Sequence, residues 1–365
     1  MRRHPLLLGA LAAIAAIGAV VAAGAFSVPS PAAVVDGTSI SRNTLNAELD
    51  AIASNRVFSC YLQASVAVRS SSSASLPTIS GSSSGSFDTA FVDFWLSQQI
   101  DDLLVEHLAA GQHLAVDSSA MAAGRADLTS TIDSVLGAAA VSAGQSAVCA
   151  TSGAAVLSTL PSSMVDEMVR AQAAGDLVLA HAAGYGLSGT QLSRYFALHS
   201  EAFQTICLSA IQVATQASAA TLRASIEAGA SFSAVAKANS TDQVSAANGG
   251  ALGCFTANQG AYQTVAADVK SLAVGQVSQP IANNGSYLLL MVTRYLPASF
   301  DAVVPAVRHQ VLVAGSAKAS AELHSFTKTA SISIDPRYGQ WSAGVGVGIA
   351  PPASPRSSDL LNPKQ

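Results

Sequence analysis

The sequence has little of what globular proteins use for large cores and charged surfaces. Aromatic residues make up 5% and charged residues 11% of the 365 residues, whereas charged residues usually account for about a quarter of a globular chain. Ala, Ser and Gly are abundant instead, and small side chains bury little apolar area each. We therefore expect a helix-rich core in which backbones approach closely.

Basic clusters and the common motifs of metal, redox and phosphate chemistry are also missing. The net charge is −4 and no run of Lys and Arg occurs, so nucleic acid is not an expected partner. No C-x-x-C spacing is present. Gly249-Gly250 is not followed by the Lys-Ser/Thr of a phosphate-binding loop, which favours a backbone turn there. The histidines of the predicted helices lack metal-ligand spacing, so we expect neither a metal nor a cofactor.

The N-terminus carries an export pattern. Arg2 and Arg3 precede an uncharged apolar stretch at residues 5–26, which ends in an Ala-Gly-Ala site. This pattern is typical of a secretory signal peptide whose basic end stays inside. The stretch is also long enough for an uncleaved membrane anchor. Residues 1–32 are therefore predicted to be a signal peptide or an N-terminal membrane anchor, and the rest of the chain is predicted to be extracytoplasmic, either secreted or held in the cell envelope.

The four cysteines agree with export. They are Cys60, Cys149, Cys207 and Cys254. In an oxidising compartment four cysteines favour two disulfides, for which three pairings are possible. We favour a Cys60–Cys149 bond within the helical part of the chain. Four unpaired, buried thiols are the alternative.

Apolar spacing divides the rest of the chain into helical segments on both sides of a mixed region. Residues 33–202 are predicted to form an N-terminal helical region, in which the Ser/Gly tract at residues 70–86 is a flexible loop. Residues 298–335 are predicted to add a C-terminal helix and strand. Residues 336–365 are rich in Gly, Pro and Ser, and we expect a disordered tail there.

Short motifs in one fixed order occupy the mixed region at residues 203–297. They are an apolar strand at residues 206–213, Asn-Ser-Thr-Asp at 239–242, Gly-Gly-Ala-Leu-Gly at 249–253, Gly-Gln-Val-Ser-Gln-Pro at 275–280 and an apolar strand at 287–292. This order resembles a parvulin-type (rotamase, PpiC-type) peptidyl-prolyl isomerase domain. The segment V-x-D-G-x-x-I-S-x-x-x-L at residues 34–45 resembles the N-terminal segment of SurA-type and PrsA-type extracytoplasmic chaperones.

The resemblance implies an α+β fold. A helical chaperone bundle would be formed by the N- and C-terminal segments, with a parvulin-like domain inserted between them as a four-stranded sheet with surrounding helices. It also places Cys207 and Cys254 on neighbouring strands, which favours a disulfide between them.

The same resemblance assigns the candidate site. A parvulin favours the twisted amide with polar side chains and holds the proline ring in an apolar pocket. Its first-strand His corresponds to Ala210, its Cys or Asp position to Gln243 with Asp242 just before it, and its last-strand His to Tyr287. Asp242, Gln243 and Tyr287 are therefore the candidate catalytic residues. The candidate substrate-binding residues are Leu252, Phe255, Ala261 and Val265.

Three functions fit this pattern. The favoured one is an extracytoplasmic protein-folding factor that binds unfolded or proline-containing exported polypeptides, with weak or lost isomerase activity. The alternatives are an active isomerase that uses the substituted residues, and a non-catalytic envelope docking or assembly protein. In each case the N-terminal segment would contact the membrane if it is not cleaved.

A client-binding cradle is expected where the apolar stripe of the helix at residues 91–108 is wider than one packed face needs. Phe91, Phe94 and Trp95 are the candidates. Burial of these residues in the core is the alternative interpretation.

Overall fold

The computed structural model describes residues 31–69, 77–83, 85–145, 148–256, 266–342 and 348–350. Its N-terminal part contains two short strands and seven helices in the described ranges: β1 (Ala33–Val35), β2 (Thr38–Ile40), α1 (Arg42–Ser54), α2 (Arg56–Arg69), α3 (Thr89–Gly111), α4 (Ser118–Ala143), α5 (Gly153–Leu157), α6 (Ser162–Ala182) and α7 (Gly189–His199).

After a 3-10 turn (Ser200–Phe203), the chain enters a mixed region and then a C-terminal region. Their elements are β3 (Thr205–Val213), α8 (Gln216–Glu227), α9 (Phe232–Asn239), α10 (Gln243–Ala247), β4 (Ala251–Thr256), α11 (Ala266–Val269), β5 (Ile281–Asn283), β6 (Ser286–Leu296), α12 (Phe300–Thr329), β7 (Ile332–Ile334), β8 (Gln340–Ser342) and β9 (Gly348–Ala350).

Short polar side chains define the starts of the helices. Ser41 accepts a hydrogen bond from the Thr44 amide at the start of α1, and Asp117 accepts one from the Ala120 amide at the start of α4. Ser188 caps α7 in the same way. Such side chains satisfy amides that have no partner within the helix. These three side chains therefore mark the first turns of α1, α4 and α7.

The N- and C-terminal segments of the chain form one α+β unit. Strand β7 pairs antiparallel with β1 in a three-stranded sheet of order β2-β1-β7. Helix α12 packs on α6 and α7. At Gly315 a Cβ would lie 1.8 Å from the Leu179 carbonyl oxygen, so α12 and α6 approach more closely than any larger residue allows. This contact is the close backbone packing expected from a chain rich in small residues.

The inserted region is a four-stranded antiparallel sheet of order β4-β3-β6-β5. Successive residues of β3 point to opposite faces, as strand geometry requires. Ile206, Leu208 and Ala210 lie in one buried cluster with Val269 and Leu290. On the other face Ile211 and Val213 pack with residues of α8 and α9. The predicted architecture, a four-stranded sheet with helices inserted into a helical bundle, is confirmed.

Two disulfides cross-link the chain. One joins Cys60 of α2 to Cys149. The other joins Cys207 to Cys254, which are directly opposite each other in the pairing of β3 with β4. These are the two pairs favoured from the sequence.

The described part of the predicted tail is ordered, so the prediction of disorder over residues 336–365 is wrong there. Strands β8 and β9 pair antiparallel, and the Ile349 amide donates to Ser97 Oγ of α3 at 3.1 Å. Trp341 and Ile349 pack against the main core. Partial burial of these two large apolar side chains favours an ordered arrangement of the segment.

The described part of the predicted loop at residues 70–86 also has internal hydrogen bonds. Ser80 forms an antiparallel bridge with Phe87, and the Gly81 amide donates to the Ser86 carbonyl. The rest of the predicted loop, residues 70–76 and 84, and nearly all of the predicted export segment lie outside the described residues. None of the described helices is both long and apolar enough to cross a membrane.

Candidate functional site

Ala210 stands in the middle of the inserted sheet, where the resemblance assigns a histidine. It pairs with Leu290 of β6, and its amide donates to the Gly250 carbonyl at 2.7 Å. Its methyl group is buried in the apolar cluster of this face. The position therefore supplies neither a donor nor an acceptor side chain, and it forms part of an apolar wall.

The Gly-Gly turn sets the distance between this wall and the start of β4. Gly249 and Gly250 both have positive φ angles, +67° and +86°. A Cβ on Gly250 would lie 2.6 Å from the Ala210 carbonyl oxygen. Backbone geometry therefore requires glycine at both positions, in agreement with the backbone turn predicted from the sequence.

Asp242 and Gln243 form hydrogen bonds within the turn that contains them. Asp242 caps α10: one carboxylate oxygen accepts from the Val244 amide at 3.2 Å and the other accepts from Ser245 Oγ at 2.6 Å. The hydrogen bond from Ser245, with help from the backbone amides, holds the pKa of Asp242 below its usual value. Gln243 Nε2 donates to the Ser240 carbonyl at 3.1 Å. Asp242 is thus an ionised capping group.

Tyr287 lies on the opposite face of the sheet from Ala210. It pairs with Val213 and packs, half-buried, against the cluster beneath α8 and α9. Directly paired residues share a face, and Val213 is three positions from Ala210, an odd number. The structure therefore does not bring Tyr287 onto the apolar face that carries Ala210. The Tyr287 hydroxyl has no hydrogen-bond partner among the described residues.

Gln212 is the polar side chain that shares a face of β3 with Ala210, and motif reasoning missed it. Its Nε2 donates to Ser286 Oγ at 2.9 Å, and its backbone amide donates to Ser240 Oγ at 3.1 Å. The Thr241 amide donates to the Gln212 carbonyl at 2.7 Å. The segment before Asp242 is therefore tied to the end of β3. A single amide side chain at the end of a mostly apolar strand was the signal in the sequence.

The four candidate substrate-binding residues divide into two pairs. Leu252 is 40% exposed at the start of β4. Phe255 packs, half-buried, against the cluster that contains Ala210. Ala261 and Val265 lie outside the described residues. Both described residues of the predicted pocket are thus apolar, and Phe255 contacts the cluster that contains Ala210.

The predicted cradle residues on α3 are mostly core. Phe91 and Trp95 are buried in the main cluster, where the Phe58 and Trp95 rings meet edge to face. Trp95 Nε1 donates to Glu48 Oε2 at 2.6 Å. The alternative interpretation therefore holds for Phe91 and Trp95, because their side chains fill the space between α1, α2 and α3. Phe94 is half-buried and lines two cavities beside α3.

Comparison with known proteins identifies a family model that matches the inserted domain. Residues 207–294 match the family model described as "Rotamase: PPIC-type PPIASE domain". Over 98 residues the chain is 38% identical to the periplasmic chaperone PpiD of Haemophilus influenzae, a match that covers 26% of this chain and 15% of that protein. The family model therefore concerns the inserted domain, and this chain spans only a small part of the relative's length.

Similar solved structures cover more of the chain at lower identity. The peptidylprolyl isomerase PrsA of Bacillus cereus is 15% identical with a TM-score of 0.37, and the match covers 69% of this chain and 92% of that one. The foldase protein PrsA of Lactococcus lactis is 11% identical with a TM-score of 0.35, covering 84% and 95%.

Proposed function

We propose that this chain, whose residues 207–294 are a PPIC-type rotamase domain, is an extracytoplasmic folding factor that binds unfolded exported polypeptides and has weak or no isomerase activity. The observation that carries the second half of this proposal is Ala210. A methyl group stands in the middle of the apolar face, where the resemblance assigns an imidazole.

The chemistry explains why this substitution matters. Rotation about an X-Pro bond has a barrier of roughly 20 kcal/mol, because amide resonance must be lost. A protein lowers that barrier by binding the twisted amide better than the planar one, through polar groups aimed at the reacting bond. In the described part of the domain, Gln212 is bonded to Ser286, while Asp242 and Gln243 are bonded within their own turn. Each of these groups therefore already forms at least one hydrogen bond within the domain.

The folding-factor half of the proposal is supported by three features. The inserted domain matches the PPIC-type rotamase family model, and a relative of the chain is named as a periplasmic chaperone. The two disulfides favour an oxidising compartment. The N-terminal sequence has the pattern of an export segment.

Proline-limited refolding and client aggregation test the two halves separately. We expect the full chain to suppress the aggregation of a reduced, unfolded client at near-stoichiometric ratios. We also expect isomerase activity about 100-fold or more below that of a parvulin with its polar residues intact, since positioned polar groups usually contribute at least that factor. Activity equal to the intact parvulin would contradict the loss of catalysis, and unchanged client aggregation would contradict the folding role.

An active isomerase that uses the substituted residues is the second candidate. The observation in its favour is that the Tyr287 hydroxyl has no described partner and lies at the same end of β3 as the ionised Asp242. Under this alternative, Tyr287→Phe lowers kcat/KM for an X-Pro peptide by about tenfold or more. Under our proposal the same substitution leaves the small residual rate unchanged.

A further inference from the structure

One buried carboxylate oxygen in the helical bundle lacks a hydrogen-bond partner among the described residues. Asp93 of α3 is 7% exposed, and its Oδ1 has no hydrogen-bond partner among the described residues. Burial, and to a lesser extent the nearby Asp88, raise the pKa of Asp93 to about 6. Asp93 is therefore largely ionised at neutral pH. A buried, unpaired charge is costly, and such groups in native proteins are usually paired with something.

Asp93 lines a cavity of about 730 Å³ between α3 and the β8–β9 sheet. Thr89, Asp93, Ser97 and Asp101 follow one another at intervals of four residues, so they share one face of the helix. Ser97 already accepts a hydrogen bond from the Ile349 amide. The carboxylates on either side of it have no such partner from β9 in the described structure.

A second cavity, of about 310 Å³, adjoins the first along α3. The two share Phe94 and Gln98 as a common wall. Aromatic, aliphatic and methionine side chains line the second cavity, among them Tyr61, Leu62, Met164 and Met168. Flexible methionines adapt to apolar partners of different shapes, and the volume lies within the range of ligand pockets.

The ionisable side chains that line both cavities are all acidic. Their described linings include six carboxylates and no Lys, Arg or His: Asp88, Asp93 and Asp101 in the first and Glu48, Asp102 and Glu167 in the second. The Gln99 Oε1 atom in the second cavity is another buried acceptor without a described donor. Arg170 lines an adjoining cavity with Glu106 and Glu167. The two cavities therefore present hydrogen-bond acceptors and apolar surface, and their described linings contain no cationic side chain.

We infer that the two cavities beside Phe94 and Gln98 bind one apolar polypeptide segment that carries a lysine or arginine, with the Asp93 carboxylate as the partner of its cationic group. The inference rests on the proposed folding role and adds a client class to it. A resident metal ion does not fit, because Asp93 and Asp101 are two helical turns apart, about 12 Å, and no described group of three or more acidic, His or Cys residues is arranged to hold a metal. A flexible cationic side chain with apolar neighbours satisfies both the carboxylate and the adjacent apolar cavity.

Peptide binding to the full chain tests this assignment. The probe is a fluorescein-labelled peptide of alternating Leu and Phe with two lysines, and its matched partner has glutamines in place of the lysines. We expect the lysine peptide to bind more tightly, and Asp93→Asn to weaken it by about tenfold, since removing one partner of a buried charge pair has at least this effect. The same substitution leaves the glutamine peptide unaffected. Asp50→Asn, an exposed change on α1 outside both cavities, is the control.

Thermal unfolding separates a binding defect from a folding defect. Because Asp93→Asn removes an unpaired buried charge, its Tm is expected to be equal to or above that of the wild type. Equal binding of both peptides, or an Asp93→Asn variant that still binds the lysine peptide like the wild type, overturns the inference. If client aggregation is still suppressed in that case, the folding role stands without this site. If the wild type neither binds a peptide nor suppresses aggregation, the proposed function fails as well.

Discussion

Arg308 of α12 and Asp176 of α6 form a buried ion pair between residues 132 positions apart in the sequence. Arg308 Nη2 donates to Asp176 Oδ2 at 2.9 Å, and its Nε donates to Asp127 Oδ2 of α4 at 2.5 Å. Asp176 is 1% exposed and also accepts from Gln172. One guanidinium thus connects the C-terminal helix to two N-terminal helices.

Removal of this guanidinium is expected to destabilise the bundle strongly. Arg308→Met leaves Asp176 and Asp127 as neighbouring carboxylates, one of them fully buried, and should lower the free energy of unfolding by about 3–5 kcal/mol. Urea denaturation followed by circular dichroism measures the change. Arg125→Met is the matched control, because Arg125 and Asp166 are 50% and 57% exposed, and pairs this exposed contribute about 1 kcal/mol or less. Similar losses in both variants would contradict the assigned role.

Glu48 predicts a pH dependence of stability. This residue of α1 is buried and accepts hydrogen bonds from Trp95 and Gln99. Burial is the main cause that raises the pKa of Glu48 from 4.5 to about 7. Between these values the folded chain holds a proton that the unfolded chain has released. The contribution of Glu48 is therefore full below about pH 4.5 and is lost as the pH rises through about 7.

Glu48→Gln should remove the part of the pH dependence that Glu48 contributes. The variant is expected to match the wild type near pH 4.5 and to exceed its free energy of unfolding at pH 8, by on the order of 2 kcal/mol. Urea titrations from pH 4.5 to 8 measure the difference. Asp50→Asn, on the exposed side of the same helix, should run parallel to the wild type. A Glu48→Gln curve with the wild-type slope would show that Glu48 is ionised in the folded protein throughout.

Substitutions of Gly250 and Gly285 distinguish two reasons for a glycine: lack of space for a Cβ, and a positive φ angle. Both have positive φ, +86° and +80°, but only Gly250 has heavy atoms within 4 Å of an added Cβ. Gly285→Ala should therefore cost about 1 kcal/mol, the usual strain of a left-handed residue. Gly250→Ala should cost about 3 kcal/mol or more, because the Ala210 carbonyl must also move. Equal losses in thermal unfolding would contradict the close approach of the Gly-Gly turn to β3.

The local features of the fold could be predicted from the sequence, and the long-range contacts could not. Ser41, Asp117 and Ser188 mark helix starts because a cap acts within three residues. Residues 56–69 lie within the predicted helical region without a helix boundary of their own, and they form α2. Phe58 and Leu62 of α2 are buried in the main core, so packing outweighs the low helix propensity of its Ser, Cys and Val residues.

The pairing of β7 with β1 and the docking of Ile349 on Ser97 join residues about 300 and 250 positions apart, which no local pattern specifies.

The candidate site shows the same division. The Gly-Gly turn and the apolar strand around Ala210 follow from motif order. The face occupied by Tyr287 depends on strand register, and a shift of one residue moves every side chain to the other face. In the structure Tyr287 pairs with Val213 and not with a residue of the Ala210 face. Motif order does not specify which residue of β3 pairs with Tyr287, so motif spacing alone could not assign the face of Tyr287.

The Cys207–Cys254 bond predicts which strand of the inserted domain opens first. Strand β4 is mostly exposed along its length and lies at the edge of the sheet, so few apolar contacts hold it. In the chain-entropy model, closing 47 residues contributes about 4 kcal/mol. Cys207→Ser with Cys254→Ser should therefore raise amide hydrogen exchange in residues 251–256 to nearly the unprotected rate, while β6 remains protected.

Cys60→Ser with Cys149→Ser should leave β4 protected and affect α2 instead, since that bond lies in the helical bundle. Exchange followed by mass spectrometry resolves both segments in one experiment, and a β4 that stays protected without its disulfide would show that pairing with β3 alone is sufficient to hold it.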